Sequence, residues 1–188
     1  MTFAKQGALF LDRDGTIIVD EHYLNDSARV KLMPGAARTI AKANSLNVPV
    51  FVVTNQSGIG RGMITEAQYA AVALRLGEML AEHNARIDAT YYCPQTPESI
   101  GPDNCRKPAL LLYLQAAATH HIDLARSAYI GDKWRDIEPA LKLNGYGVLI
   151  PTSATPAADI ERAVLSAHTS PDIEHAVGAA LTWMSVLQ

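Results

Sequence analysis

Two aspartates one residue apart, Asp12 and Asp14, follow the apolar run Leu9-Phe10-Leu11 and precede Gly15-Thr16. Side chains alternate along a strand, which puts both carboxylates on one side, close enough to share a divalent cation and a substrate. Gly15 lets the chain turn where a Cβ would be strained. Such a pair suits phosphoryl transfer, and taken alone it suits metal binding, glycoside cleavage or a plain turn as well. Three further clusters carry similar chemistry. Thr54-Asn55-Gln56-Ser57-Gly58-Ile59-Gly60-Arg61-Gly62 offers a hydroxyl, backbone amides and a guanidinium to phosphate oxygens, or simply connects two elements. Arg106-Lys107-Pro108 sets two cations ahead of a helix that Pro108 opens, combining a point charge with amide donors, or is a solvated basic pair. In Gly131-Asp132-Lys133-Trp134-Arg135-Asp136, Asp132 can complete an oxygen shell for Mg2+, with Asp136 helping directly or through water; a turn or helix cap is the plainer alternative.

The elements that must position these groups follow from the pattern of apolar runs. Residues 8–11, 48–53, 89–92, 128–130 and 147–150 read as strands, and 36–46, 66–85, 109–120, 137–143 and 173–186 as helices. Thr65 with Gln68 forms a capping box, and Pro34-Gly35 marks another helix start. The strands are continuously apolar, as expected where helices cover both faces. The βα alternation predicts an α/β fold: a Rossmann-like three-layer sandwich with a central parallel sheet and ligands bound beyond the carboxyl ends of its strands. All four clusters stand at such ends. Residues 151–156 read as a loop.

The chain has 188 residues and a net charge of -3, which fits a single domain over 1–188 with no footprint for nucleic acid or an anionic membrane. Residues 1–7 lack the features of a signal peptide, and no segment approaches the roughly 20 apolar residues of a membrane span, so a cytoplasmic protein is expected. Cys93 and Cys105 are too few for a disulfide framework and are expected as thiols.

The order Asp-x-Asp-Gly-Thr, Thr-Asn, Lys-Pro and Gly-Asp-x-x-x-Asp resembles the haloacid dehalogenase (HAD) superfamily of phosphatases along nearly the whole chain. The longer motifs Asp12-Arg13-Asp14-Gly15-Thr16, Thr54 to Ile59 with Arg61-Gly62, Cys105-Arg106-Lys107-Pro108 and Gly131-Asp132-Lys133 are similar to the D-glycero-D-manno-heptose bisphosphate phosphatases, relatives of the histidinol-phosphate phosphatases. The resemblance implies a Mg2+-dependent phosphatase of a small phosphosugar, without a large cap domain. Its active site comprises Asp12, Asp14, Thr54, Lys107, Asp132 and Asp136. Asp12 attacks phosphorus and, with Asp132 and the Asp14 carbonyl, holds the metal; Asp14 serves as acid and base; Thr54 and Lys107 hold the transferring oxygens. Asp20, Tyr23, Asn55, Gln56, Ser57, Arg61, Arg106 and Lys133 are expected on the substrate, the cations on a second phosphate. Polynucleotide 3′-phosphatases share the Thr54 loop, but this chain is acidic. A non-catalytic phosphosugar-binding domain is a further alternative. A monomer is expected.

Three positions depart from that pattern. The group carries a Cys-x-His and Cys-x-Cys zinc loop, but Gln95 and Asp103 stand where a histidine and a cysteine belong, so zinc on Cys93 and Cys105 is not expected. Ile18 replaces an asparagine common after the first motif.

Overall fold

Leu9, Phe10 and Leu11 are buried because the strand they form lies in the middle of a sheet. The structure is a computed structural model and describes residues 6–99, 101 and 103–187; the leader-free reading of the first five residues lies outside them. The strands are β1 (Leu9–Leu11), β2 (Val50–Asn55), β3 (Ala89–Cys93), β4 (Ala128–Gly131), β5 (Tyr146–Leu149) and β6 (His168–Thr169). All pair in parallel, in the order β3-β2-β1-β4-β5-β6. Leu9 lies opposite Val50 and Ala128, and Leu11 opposite Val52 and Ile130.

The helices are α1 (Ala36–Ser45), α2 (Ser57–Gly60), α3 (Glu66–Ala81), α4 (Leu111–His120), α5 (Trp134–Leu143), α6 (Ala157–Ser166) and α7 (Ile173–Val186). Strand alternation divides the core between the two faces of the sheet. Leu9, Leu11, Val52 and Ile130 pack with Ile40 of α1, Leu76 of α3 and Val177 of α7. Phe10, Phe51 and Tyr129 pack with Tyr113 of α4, and the Phe10 ring lies 5.2–5.5 Å from the other three. The parallel sandwich is therefore the expected one. Between β1 and α1 there is one short 3-10 turn, Ser27–Arg29, and between β2 and α3 only α2, so neither connection carries a separate cap.

Several boundaries differ from the sequence reading. The capping box of Thr65 and Gln68 starts α3 as expected, but the helix ends at Ala81 because Asn84 takes a left-handed conformation and the Ala85 N–H turns back to Leu80. α5 begins at Trp134 rather than at 137: the Asp136 carboxylate accepts the Lys133 N–H at 3.0 Å and Asp159 accepts that of Trp134 at 2.8 Å, closing the first turn. The helix expected to open at Pro108 opens at Leu111, after a cis Lys107-Pro108 bond and a turn from Ala109 to Arg106. α6 and the exposed two-residue β6 were not foreseen. Among the described residues no helix is long and apolar enough to cross a membrane.

The thiol expectation is corrected. Cys93 ends β3 and Cys105 returns beside it, with Cα atoms 5.5 Å apart and the two sulfurs bonded. Gln95, in the place of the missing histidine, closes this loop by hydrogen bonds: its Oε1 accepts the Cys105 N–H at 3.0 Å and its Nε2 donates to the Asp103 carbonyl at 3.2 Å. The bridge spans a sequence separation of 12, so Cys105→Ser should lower the unfolding free energy by about 3 kcal/mol in urea titrations under non-reducing conditions. Thiol titration of the denatured, unreduced wild type should find neither cysteine free.

Candidate active site

Three carboxylates meet where β1 and β4 end. Oxygens of Asp12, Asp132 and Asp136, all buried, lie within 4.8 Å of one another. Asp12 extends the sheet ladder one residue past β1, donating its N–H to the Ile130 carbonyl at 2.9 Å. Asp132 follows β4 directly, and Asp136 projects from the first turn of α5. The close approach depends on Gly15, which has φ +81° and on which a Cβ would stand 2.7 Å from Asp132 Oδ2.

One ammonium is built into this group. Lys107 Nζ donates to Asp12 Oδ1 at 2.6 Å and to the Val53 carbonyl at 2.6 Å, and reaches Asp136 Oδ1 at 2.7 Å, so all three of its protons are used. Asn55 fixes where Lys107 sits: its Oδ1 accepts the Lys107 N–H at 2.9 Å and its Nδ2 donates to the Lys107 carbonyl at 3.3 Å. Lys133 pairs with Asp132. The Arg135 guanidinium stands 4.0 Å from Asp136 at the edge of the group. Burial pushes Asp12 up from 3.8 to about 7 even with Lys107 beside it, and Asp136, Asp14 and Asp132 push it the same way. Burial likewise raises Asp132, against the pull of Lys133. For Lys107, burial alone would favour the neutral amine, but Asp12 and Asp136 outweigh it and hold its pKa above the ordinary value. A buried, anionic, all-oxygen group of this kind is suited to a hard divalent cation.

The Asp14 carboxylate does not join this group, contrary to the strand-alternation argument. β1 stops at Leu11, and a turn tied by the Gly15 N–H to the Ile18 carbonyl directs Asp14 elsewhere. Arg13 grips both its oxygens at 2.9–3.2 Å. Gln56 Nε2 donates to Asp14 Oδ2 at 2.8 Å and to Thr54 Oγ1 at 3.0 Å, linking the acid to the hydroxyl of the second motif.

Asp14, Asp20, Tyr23, Asn55, Gln56, Ser57 and Arg106 line one cleft of about 200 Å³, with Arg13, His22 and Arg135. His22 and Tyr23 both adopt positive φ, 43° and 60°, and Asp20 Oδ1 accepts the His22 N–H. The Tyr23 ring packs on Gly58, where a Cβ would meet Tyr23 Cδ1 at 2.6 Å. Two expected cations are engaged elsewhere: Lys133 with Asp132, and Arg61 with Glu98 at 3.1 Å. Arg135 was missed. Starting α5 at its true first residue would have shown it one turn from Asp132. Burial, then Arg135 and Arg61, lower the pKa of Arg106, so like charges converge at the mouth.

Residues 104–176 match the HAD-hydrolase-like family model. The chain is 36% identical over 162 residues to a D-glycero-beta-D-manno-heptose-1,7-bisphosphate 7-phosphatase of Salmonella typhi, covering 83% of this chain and 86% of that one. The enzyme of the same name from Escherichia coli K12 is 37% identical, with coverage of 81% and 84%. Among solved structures, the D,D-heptose 1,7-bisphosphate phosphatase of B. bronchiseptica in complex with magnesium and phosphate superposes with a TM-score of 0.84 at 26% identity. It covers 94% of this chain and 99% of that one.

Between the ordinary aspartate pKa of 3.8 and about 7, folded Asp12 keeps a proton that the unfolded chain has released. Stability of the metal-free protein should therefore fall as pH rises through that window. Urea midpoints measured in chelator from pH 4 to 8 test this, and a saturating divalent cation should flatten the slope.

Proposed function

The chain belongs to the HAD-like hydrolases, among the D-glycero-beta-D-manno-heptose-1,7-bisphosphate phosphatases, and on that premise we propose that it removes the 7-phosphate of a heptose 1,7-bisphosphate through an aspartyl-phosphate on Asp12. The observation that carries this reading is the group formed by Asp12, Lys107, Asp132 and Asp136 beside a cationic cleft. Lys107 grips one oxygen of Asp12 and so aims the other at phosphorus. The Asp12 oxygen forms a bond to phosphorus as the ester P–O bond breaks, and Asp14 gives the leaving alkoxide its proton. Water then attacks phosphorus, Asp14 takes its proton, and Asp12 is released with inorganic phosphate.

Thr54 holds the transferring oxygens, joined by Lys107 once its ammonium releases one of its three present acceptors. Asp136 keeps Lys107 charged and in place. Mg2+ fits the donor set, held by Asp12, Asp132 and the Asp14 carbonyl, and when bound it offsets repulsion between carboxylate and phosphate. The magnesium and phosphate of the solved relative support that assignment. Arg106 and Arg135 hold the distal phosphate, while Asp20, Tyr23 and Ser57 border the sugar, with Arg61 and Lys133 in reach once they leave their carboxylate partners. The same reading makes the protein a cytoplasmic monomer.

Phosphate release measured with and without Mg2+ across heptose bisphosphate, heptose monophosphate, histidinol phosphate and a 3′-phosphorylated oligonucleotide tests the substrate. The bisphosphate should lead, and a preference for either of the last two would overturn the assignment. Asp12→Asn should abolish both turnover and phosphoenzyme while leaving the fold intact. Arg135→Ala should raise KM for the bisphosphate roughly 10-fold or more, in keeping with the loss of a charged hydrogen bond, and leave KM for a monophosphate nearly unchanged.

A further inference from the structure

Arg13 stands between the nucleophile and the acid in sequence, yet its side chain turns inward and is 3% exposed. Its guanidinium carbon lies 5.3 Å from the centre of the Tyr69 ring of α3, itself buried and packed at a 39° tilt against Tyr92 of β3, 4.4 Å away. Backed by that ring, Nε and Nη2 form a fork that meets both Asp14 oxygens. Nη1 is buried with no hydrogen-bond partner among the described residues, so the engagement seen for the arginine is directed at one carboxylate. A buried guanidinium is expensive without an anion, and the anion it holds is Asp14.

We propose that Arg13 is a positioning residue of the phosphatase reaction, fixing the plane and reach of the Asp14 carboxyl so that its proton is delivered to the leaving oxygen. This rests on the reading of Asp14 as the general acid. Gln56 alone holds one oxygen and leaves the carboxyl free to swing; the planar fork removes that rotation. With Gln56 and the fork on Oδ2, it is Asp14 Oδ1 that keeps a lone-pair site beyond the fork, where the transferred proton sits. Arg13 gives up no proton itself. Tyr69 holds the fork from behind.

The experiment compares an alkyl phosphate, whose leaving group needs a proton, with 4-nitrophenyl phosphate, whose leaving group does not, in wild type, Arg13→Met, Arg13→Lys and Asp14→Asn. In Arg13→Met, single-turnover phosphoenzyme formation from the alkyl ester should slow roughly 100-fold, the scale of a misplaced catalytic group, while formation from the aryl ester changes little and KM for both holds. Arg13→Lys, which keeps the charge and loses the fork, should show the same discrimination and serves where the methionine variant does not fold. Added guanidinium should partly restore phosphoenzyme formation from the alkyl ester in Arg13→Met and leave that from the aryl ester unchanged. Equal loss on both esters in the arginine variants, with Asp14→Asn still discriminating, would overturn the role of Arg13 and leave that of Asp14 standing. Failure of Asp14→Asn to discriminate would remove Asp14 as the acid, and the positioning role with it.

Discussion

Everything at the carboxyl end of this sheet is arranged around the ammonium of Lys107. Alone, Asp12 and Asp136 would repel each other across a buried space and one would stay protonated. The lysine lies between them and also satisfies the Val53 carbonyl, so one group joins the ends of β1 and β2 to the start of α5. The three carboxylate oxygens gathered around that lysine make the group suited to a cation.

The sheet makes this possible at low cost. β1, β2 and β4 are adjacent and buried, so Asp12, Thr54 and Asp132 emerge side by side as each strand ends. Aromatic packing of Phe10 with Phe51, Tyr113 and Tyr129 sits directly beneath and allows those strand ends little freedom. The neighbouring cleft is looser in kind, made of the Asp20 to Tyr23 turn, the loop after β2 and three arginines. It is held by the contact between Tyr23 and Gly58 rather than by the sheet.

How much of this the sequence disclosed depends on the type of signal. Apolar runs between polar loops mark strand ends well, and so Asp12, Thr54 and Asp132 were legible as one site; Lys107, in the loop after β3 rather than at its end, joined them through motif order alone. Asp14 was misplaced because strand alternation was carried past Leu11, where the strand had already ended. The first turn of α5 was missed because its closure comes from the side chains of Asp136 and Asp159, the latter a contact 25 residues away, and Arg135 went with it. β6 has two exposed residues and no apolar pattern; it is held by backbone pairing with β5. The Cys93 to Cys105 bond needed the return of the loop beside β3, which no spacing records.

The clamp that Asn55 places on residue 107 touches only peptide groups, one N–H and one carbonyl. It recognises a location and is indifferent to the side chain found there. Seat and occupant are thus specified by different parts of the molecule: the second motif supplies the seat, and the third supplies the charge. Losing the lysine would leave the loop in register and take away the charge that holds Asp12 and Asp136 together.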